Sequence, residues 1–166
     1  MIASSATERE NRRSAPDVEE MFSFETYNSV IGFLLSQAAD GLARSLNAIF
    51  EEKGAPLTTR EFVILNLLHE ESPLPQTQLV ERSYKDPAAT SRLVESLRKK
   101  GMVERVASKA DRRVTLVSLT AKGEETRAVI VPEMSAVLLK AVGESTDEEL
   151  RATQRVIKRI IAATLG

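Results

Sequence analysis

Apolar residues between positions 24 and 50 recur at helical spacing. Phe24, Tyr27, Ile31, Leu34, Leu35, Ala38, Leu42, Leu46, Ile49 and Phe50 follow the three/four alternation of one long amphipathic helix. Gly54 and Pro56 end it, and Thr58-Thr59-Arg60-Glu61 supplies a capping box for the next, with Thr58 as N-cap and Glu61 reaching back. The run FVILNLLH after it is apolar nearly all round, which predicts a helix at the centre of the core. Ser72-Pro73-Leu74-Pro75 predicts a loop leading into a short helix, QTQLVERS. Asp86-Pro87 then starts a helix strongly, because Asp caps and Pro is preorganised at the first helical position. That helix runs through AATSRLVESLRKK to Gly101, which suits the left-handed C-terminal position, and Lys99 and Lys100 sit favourably at its negative end.

Here the period changes. MVERVA and VTLVSL, separated by SKADRR, predict two strands of a hairpin with an exposed basic loop. Thr120 can cap a further helix to about Val142, and Pro132 inside it predicts a kink. Gly143 breaks that helix, Thr146-Asp147-Glu148-Glu149 is a second capping box, and the last helix carries Leu150, Val156, Ile157, Ile160, Ile161 and Leu165. The order is four helices, a β-hairpin and two helices, a mainly α fold with a small hairpin wing. Short helix, turn, helix and hairpin in the middle form a winged helix-turn-helix. The boundaries expected are a polar, disordered tail over 1–20, a winged helix-turn-helix domain over 54–119, and helical regions over 21–53 and 120–166.

Composition narrows the function classes. The chain has 166 residues, 42% hydrophobic and 28% charged, which predicts a soluble globular protein of one domain or two small subdomains. No apolar run is long enough for a transmembrane helix, and the N-terminus lacks the apolar region of a signal peptide, so a cytoplasmic protein is expected. With no cysteine and one histidine, disulfides, thiolate sites and thiol redox sensing are excluded, and no metal or cofactor is expected. There is no phosphate-binding glycine loop or nucleophile motif, so an enzyme is not expected.

The formal net charge of −1 argues at first against nucleic acid. Its distribution along the chain points the other way. From Tyr84 to Arg113 nine basic residues face four acidic ones, a local charge of +5 that leaves −6 for the remainder. A basic segment on an acidic body is the electrostatic footprint of a DNA reader, although charge runs on helices are more often plain solvated faces. The helix Pro87–Lys100 has the length of a major-groove reader, about 21 Å at 1.5 Å per residue. Its first two turns offer Ala88, Ala89, Thr90, Ser91 and Arg92. Small residues allow close approach, Thr and Ser can bond bases or phosphates, and Arg reads guanine. Leu93, Val94 and Leu97 should face the core. The loop SKADRR has the size and charge of a wing whose arginine enters the minor groove, and equally those of an ordinary polar hairpin loop. Asp111 would repel phosphate unless it braced Arg113. Gln76, Thr77, Lys85, Lys109 and Arg112 complete the candidate DNA contacts.

The segment SRLVESLRKKGMVERVASKADRRVTLVSLTAKGEE resembles the recognition helix, wing and following helix of MarR-family transcriptional regulators. The likeness is specific in SRLV, in KKG followed by VER, in the Asp-Arg-Arg wing and in VSLT. It is best matched from Leu79 to Glu125, and helix order and lengths agree from Phe24 to Leu165. The resemblance implies that Asp111 orients Arg113, the minor-groove residue, and that Ser91-Arg92 is the Ser-Arg pair of the recognition helix. Tyr84 and Lys85 depart from the commonest glycine and apolar residue, although a subset of the family has a Lys-Asp pair like Lys85-Asp86. This departure bears on base preference.

The resemblance further implies a homodimer, with Phe24, Tyr27, Val156, Ile157, Ile160, Ile161 and Leu165 in terminal helices that interlock. The other reading is a purely intramolecular bundle. A repressor of a pseudo-palindromic operator, released by a small, often aromatic effector, is the function implied. Tyr27, Asn28 and His69 are candidate effector contacts, although Tyr27 reads equally as core and His69 as a helix-end residue. The alternative is a winged-helix protein-interaction module that does not bind DNA.

Overall fold

The computed structural model describes residues 30–83, 86–108, 111 and 113–165. The chain divides into two compact units, 1–44 and 45–166. The expected tail over 1–20 and the start of the first helix at Phe24 and Tyr27 lie outside the described residues. In chain order the elements are α1 (Ile31–Glu52), α2 (Thr59–Glu70), β1 (Leu74–Pro75), α3 (Gln76–Ser83), α4 (Pro87–Lys99), β2 (Val103–Ala107), β3 (Thr115–Leu119), α5 (Ala121–Ala141) and α6 (Asp147–Leu165).

The first unit, where described, is the opening part of α1. The second unit holds a single hydrophobic core. Phe50 meets Phe62 edge to face, with centroids 5.6 Å apart. Ile64, Leu65 and Leu68 of α2, Leu79 of α3, Val94 and Leu97 of α4 and Val117 of β3 are fully buried around them. Helix α2 is central, as its apolar run predicts, although it is not buried on all sides: Val63 stays exposed.

The wing hairpin is found as the period change predicts, and a third strand joins it. The sheet order is β1-β3-β2, all antiparallel, with Leu74 opposite Val117 and Arg105 opposite the same residue on the other side. The loop expected over Ser72–Pro75 is therefore corrected in its second half: Leu74–Pro75 is an edge strand. Two residues carry no alternation to read, and proline is tolerated on an edge because its missing N–H costs no ladder bond there. Pro132 lies within α5, which continues as one helix through it. No described helix is long and apolar enough to cross a membrane.

Candidate nucleic-acid interface

Helix α4 is defined at both ends by its own sequence. Asp86 caps it, accepting the Ala89 N–H at 2.8 Å. That bond is the main cause of an Asp86 carboxyl pKa below the ordinary value; desolvation opposes it and the Arg92 charge adds to it. At the other end Gly101 has φ +73°. The Gly101 N–H reaches Arg98 O at 2.9 Å and the Met102 N–H reaches Leu97 O at 3.0 Å, the paired bonds of a Schellman motif.

The turn after α4 is gripped by the start of α5. Thr120 Oγ1 donates to Gly101 O at 2.8 Å, and Lys122 Nζ donates to Lys100 O at 2.7 Å. A Cβ on Gly123 would lie 2.2 Å from Met102 O, so only glycine lets the two backbones approach this closely. A further tie comes from α2. Glu61 closes the capping box predicted with Thr58, accepting the Thr58 N–H at 2.7 Å, and its other oxygen accepts Lys100 Nζ. Burial pushes the Glu61 carboxyl up, but hydrogen bonds from Lys100, Ser96 and Thr58 outweigh it and hold the group below its ordinary value.

On the outward side of α4, Ala88 and Arg92 are exposed, and Ala89 and Ser91 are half-buried. Thr90 is a correction. Its side chain is fully buried, with Oγ1 3.4 Å from Ser83 Oγ where α3 packs on α4, so it is a packing residue rather than a DNA contact. In α3, Thr77 is exposed and Gln76 half-buried. Lys85, Lys109 and Arg112 lie outside the described residues.

The wing is organised by Asp111. Its carboxylate accepts the Arg113 N–H at 2.9 Å and its carbonyl accepts the Val114 N–H at 2.9 Å, while the Ser108 N–H donates to Val114 O at 3.0 Å. Asp111 thus braces the backbone of Arg113, leaving both side chains exposed at the hairpin end. A groove of about 430 Å³ between wing and helix is lined by Ser91, Arg92, Glu95, Ser96, Lys99 and Arg105.

The basic segment is less free than its charge count suggests. Lys100 is bound to Glu61, and Arg98 and Arg105 share Glu95. Hydrogen bonding from Arg98 is the chief cause that keeps the Glu95 carboxyl below its ordinary value. Arg92, Lys99 and Arg113 make no salt bridge among the described residues, and they remain as outward charge.

The candidate effector residues are not brought together by what is described. Tyr27 and Asn28 lie outside the described residues. His69 Nδ1 is already 2.9 Å from Glu124 Oε2, and Arg127 Nε donates to Asn66 Oδ1 at 2.8 Å beside it. The sequence does not single out Asn66, Glu124 and Arg127; its one signal is Asn66, the polar break in FVILNLLH. Of the candidate dimer residues, Val156 and Leu165 are exposed, Ile157, Ile160 and Ile161 half-buried, and Phe24 is outside the described residues.

Comparison with known proteins agrees with this architecture. The MarR family model matches residues 57–115. The HTH-type transcriptional regulator MhqR of Bacillus subtilis (strain 168) is 27% identical over 127 residues, covering 76% of this chain and 86% of its own. A probable transcriptional regulator from Pseudomonas aeruginosa superposes with TM-score 0.69 at 29% identity, over 82% of this chain and all of that one. CouR from Rhodococcus jostii RHA1, solved bound to p-coumaroyl-CoA, shares the fold with TM-score 0.74 at 23% identity, over 82% of this chain and 94% of that one. The winged helix-turn-helix, the helix order and these relatives agree with the match to the MarR family model, and the chain is similar to MarR-family transcriptional regulators over that region.

Proposed function

We propose that this protein is a MarR-family transcriptional regulator, a homodimeric repressor that reads a pseudo-palindromic operator and is released by a small aromatic ligand. The observation that carries the DNA-reading part is the pairing of two outward features. Helix α4 presents Ala88, Ala89, Ser91 and Arg92, and the wing presents an Arg113 whose backbone is fixed by Asp111. In this reading α4 enters the major groove, with Ser91 and Arg92 near base edges, while Arg113 enters the adjacent minor groove. Gln76, Thr77, Lys85, Lys109 and Arg112 supply further contacts, mostly to phosphate. Residues 54–119 form the reading domain, and the protein works in the cytoplasm.

Dimerisation is supported by α6, which has no buried residue and exposes Val156 and Leu165 along one chain. Two reading heads on a symmetric dimer match half-sites about one helical turn apart. The ligand part rests on relatives: CouR is bound to p-coumaroyl-CoA and BpsR of Bordetella bronchiseptica is regulated by 6-hydroxynicotinic acid.

The test is a titration of duplexes enriched from a randomised pool by the wild-type protein. Arg113→Ala is expected to weaken binding at least about fivefold, the lower end for one lost arginine contact, with the circular dichroism spectrum unchanged. Wild-type affinity should fall steeply with salt as counterions are released. Full affinity in the variant would remove the wing contact assigned to Arg113, and a flat salt titration would favour a protein-interaction role instead.

A further inference from the structure

Strand β2 breaks its own pattern at two neighbouring residues. Val103 is buried, and strand alternation puts Arg105 on the same face, while apolar Val106 turns outward and is 41% exposed. An ordinary wing would place the apolar residue inward and the arginine outward. The inward guanidinium meets α4. Arg105 Nη1 donates to Glu95 Oε2 at 3.3 Å and Nη2 to the Ser91 carbonyl at 3.4 Å. Its Nε is buried with no partner among the described residues, a cost that an aliphatic side chain in the same place would avoid. A guanidinium turned inward at such a cost, beside the helix it bonds, points to function.

The partners locate that function. Ser91 and Glu95 are one helical turn apart and flank Arg92, the exposed arginine of the same turn. Glu95 is itself fixed, because Arg98 binds both of its oxygens at 3.0 and 2.9 Å. Arg105 lies on the hairpin that carries Arg113, and the β2–β3 ladder runs from Val103 opposite Leu119 to Ala107 opposite Thr115.

We infer that Arg105 and Glu95 are positioning residues that lock the wing to the recognition helix, so that Arg92 and Arg113 are presented to DNA at one fixed spacing. The inference rests on the DNA-reading proposal above. A locked pair of readers rewards a duplex whose two grooves present the right features together, so the brace contributes to discrimination more than to general affinity.

The experiment measures binding of wild type, Arg105→Met, Glu95→Met and the double variant to two duplexes. One is enriched from a randomised pool by wild type; the other is its scrambled counterpart. Methionine keeps the aliphatic bulk and removes the charge. Each single variant should lower the ratio of selected to scrambled affinity about tenfold, the size of one mismatched base pair. The double variant should lose no more than a single one, because both act through one contact. Arg105→Met should leave the salt slope as in wild type. Additive losses, an unchanged ratio, or an equal loss on both duplexes with the slope reduced by about one would overturn the inference, the last by making Arg105 a phosphate contact. Should Arg105→Met fail to fold, Glu95→Met decides alone, by whether the ratio falls. Wild type that enriches no duplex would remove the DNA-reading proposal and this one together; enrichment with unchanged variants removes only this one.

Discussion

The winged core and the last helix are written in the same apolar periodicity, yet they end differently. Leu79, Val94, Leu97 and Val117 disappear completely into the second unit. In α6, Val156, Ile157, Ile160, Ile161 and Leu165 recur at helical spacing just as clearly, and not one residue of the helix is buried. Full burial of one such side chain is worth about 1.5–3 kcal/mol, so α6 leaves a large gain unrealised within one chain. Periodicity states that a face is to be covered. It does not state what covers it.

Truncations at equivalent depth in the two patterns test this contrast most severely. Leu97→Ala is expected to cost about 2–5 kcal/mol of unfolding free energy, because it opens a cavity where nothing can collapse. Ile161→Ala should cost well below that in a dilute, monomeric sample. Urea unfolding of both at low concentration decides; equal losses would mean that α6 is packed as tightly as the core. Ile160→Asp together with Ile161→Asp should then act on association rather than folding. If α6 serves a homodimer, sedimentation should show wild-type dimer and variant monomer with the same helical content. A wild-type monomer at micromolar concentration would leave α6 without the proposed partner.

What can be read from sequence differs between the regions for the same reason. Caps and stops are local, so Thr58, Asp86, Gly101, Thr120 and Thr146 mark their helices correctly. The hairpin is legible from its change of period, and the outward residues of α4 from their small size. Thr90 reads as a DNA contact because a hydroxyl suits DNA and packing alike, and only the packing of α3 on α4 distinguishes them. Long-range polar pairs are invisible in one dimension. Glu61 already has a complete local explanation as a capping residue, which hides its bond to Lys100, 39 positions away. Arg98, Lys100 and Arg105 count as free charge because sequence gives no measure of which carboxylates they meet.

Glu61 adds a pH dependence to the core that α6 lacks in buried form. Its folded carboxyl lies below the ordinary value of 4.5, so its contribution is fully present above that pH and is lost as pH falls through the folded value. Glu61→Gln should therefore be less stable than wild type near neutrality, and the gap should shrink on acidification below about 4.5. Urea midpoints of the two proteins across that range measure it. The opposite trend, a gap widening in acid, would mean that the carboxyl is held up by burial rather than down by Lys100.

The smallest effect gives the sharpest comparison, because the chain uses one motif in both regions. Thr58 and Glu61 form a capping box with the backbone bond at 2.7 Å, and Thr146 and Glu149 repeat it, also at 2.7 Å. The local chemistry is matched while the surroundings differ: Glu61 is buried and Glu149 exposed. Each Thr→Ala change removes about 1 kcal/mol of cap stabilisation. At Thr58 the loss should appear in the global unfolding midpoint, since α2 cannot fray without opening the core. At Thr146 it should appear mainly as faster hydrogen exchange in the first turn of α6, with the midpoint nearly unchanged in a monomeric sample. Equal midpoint shifts would show that α6 unfolds cooperatively with the core, and the difference between the two regions would then be one of exposure alone.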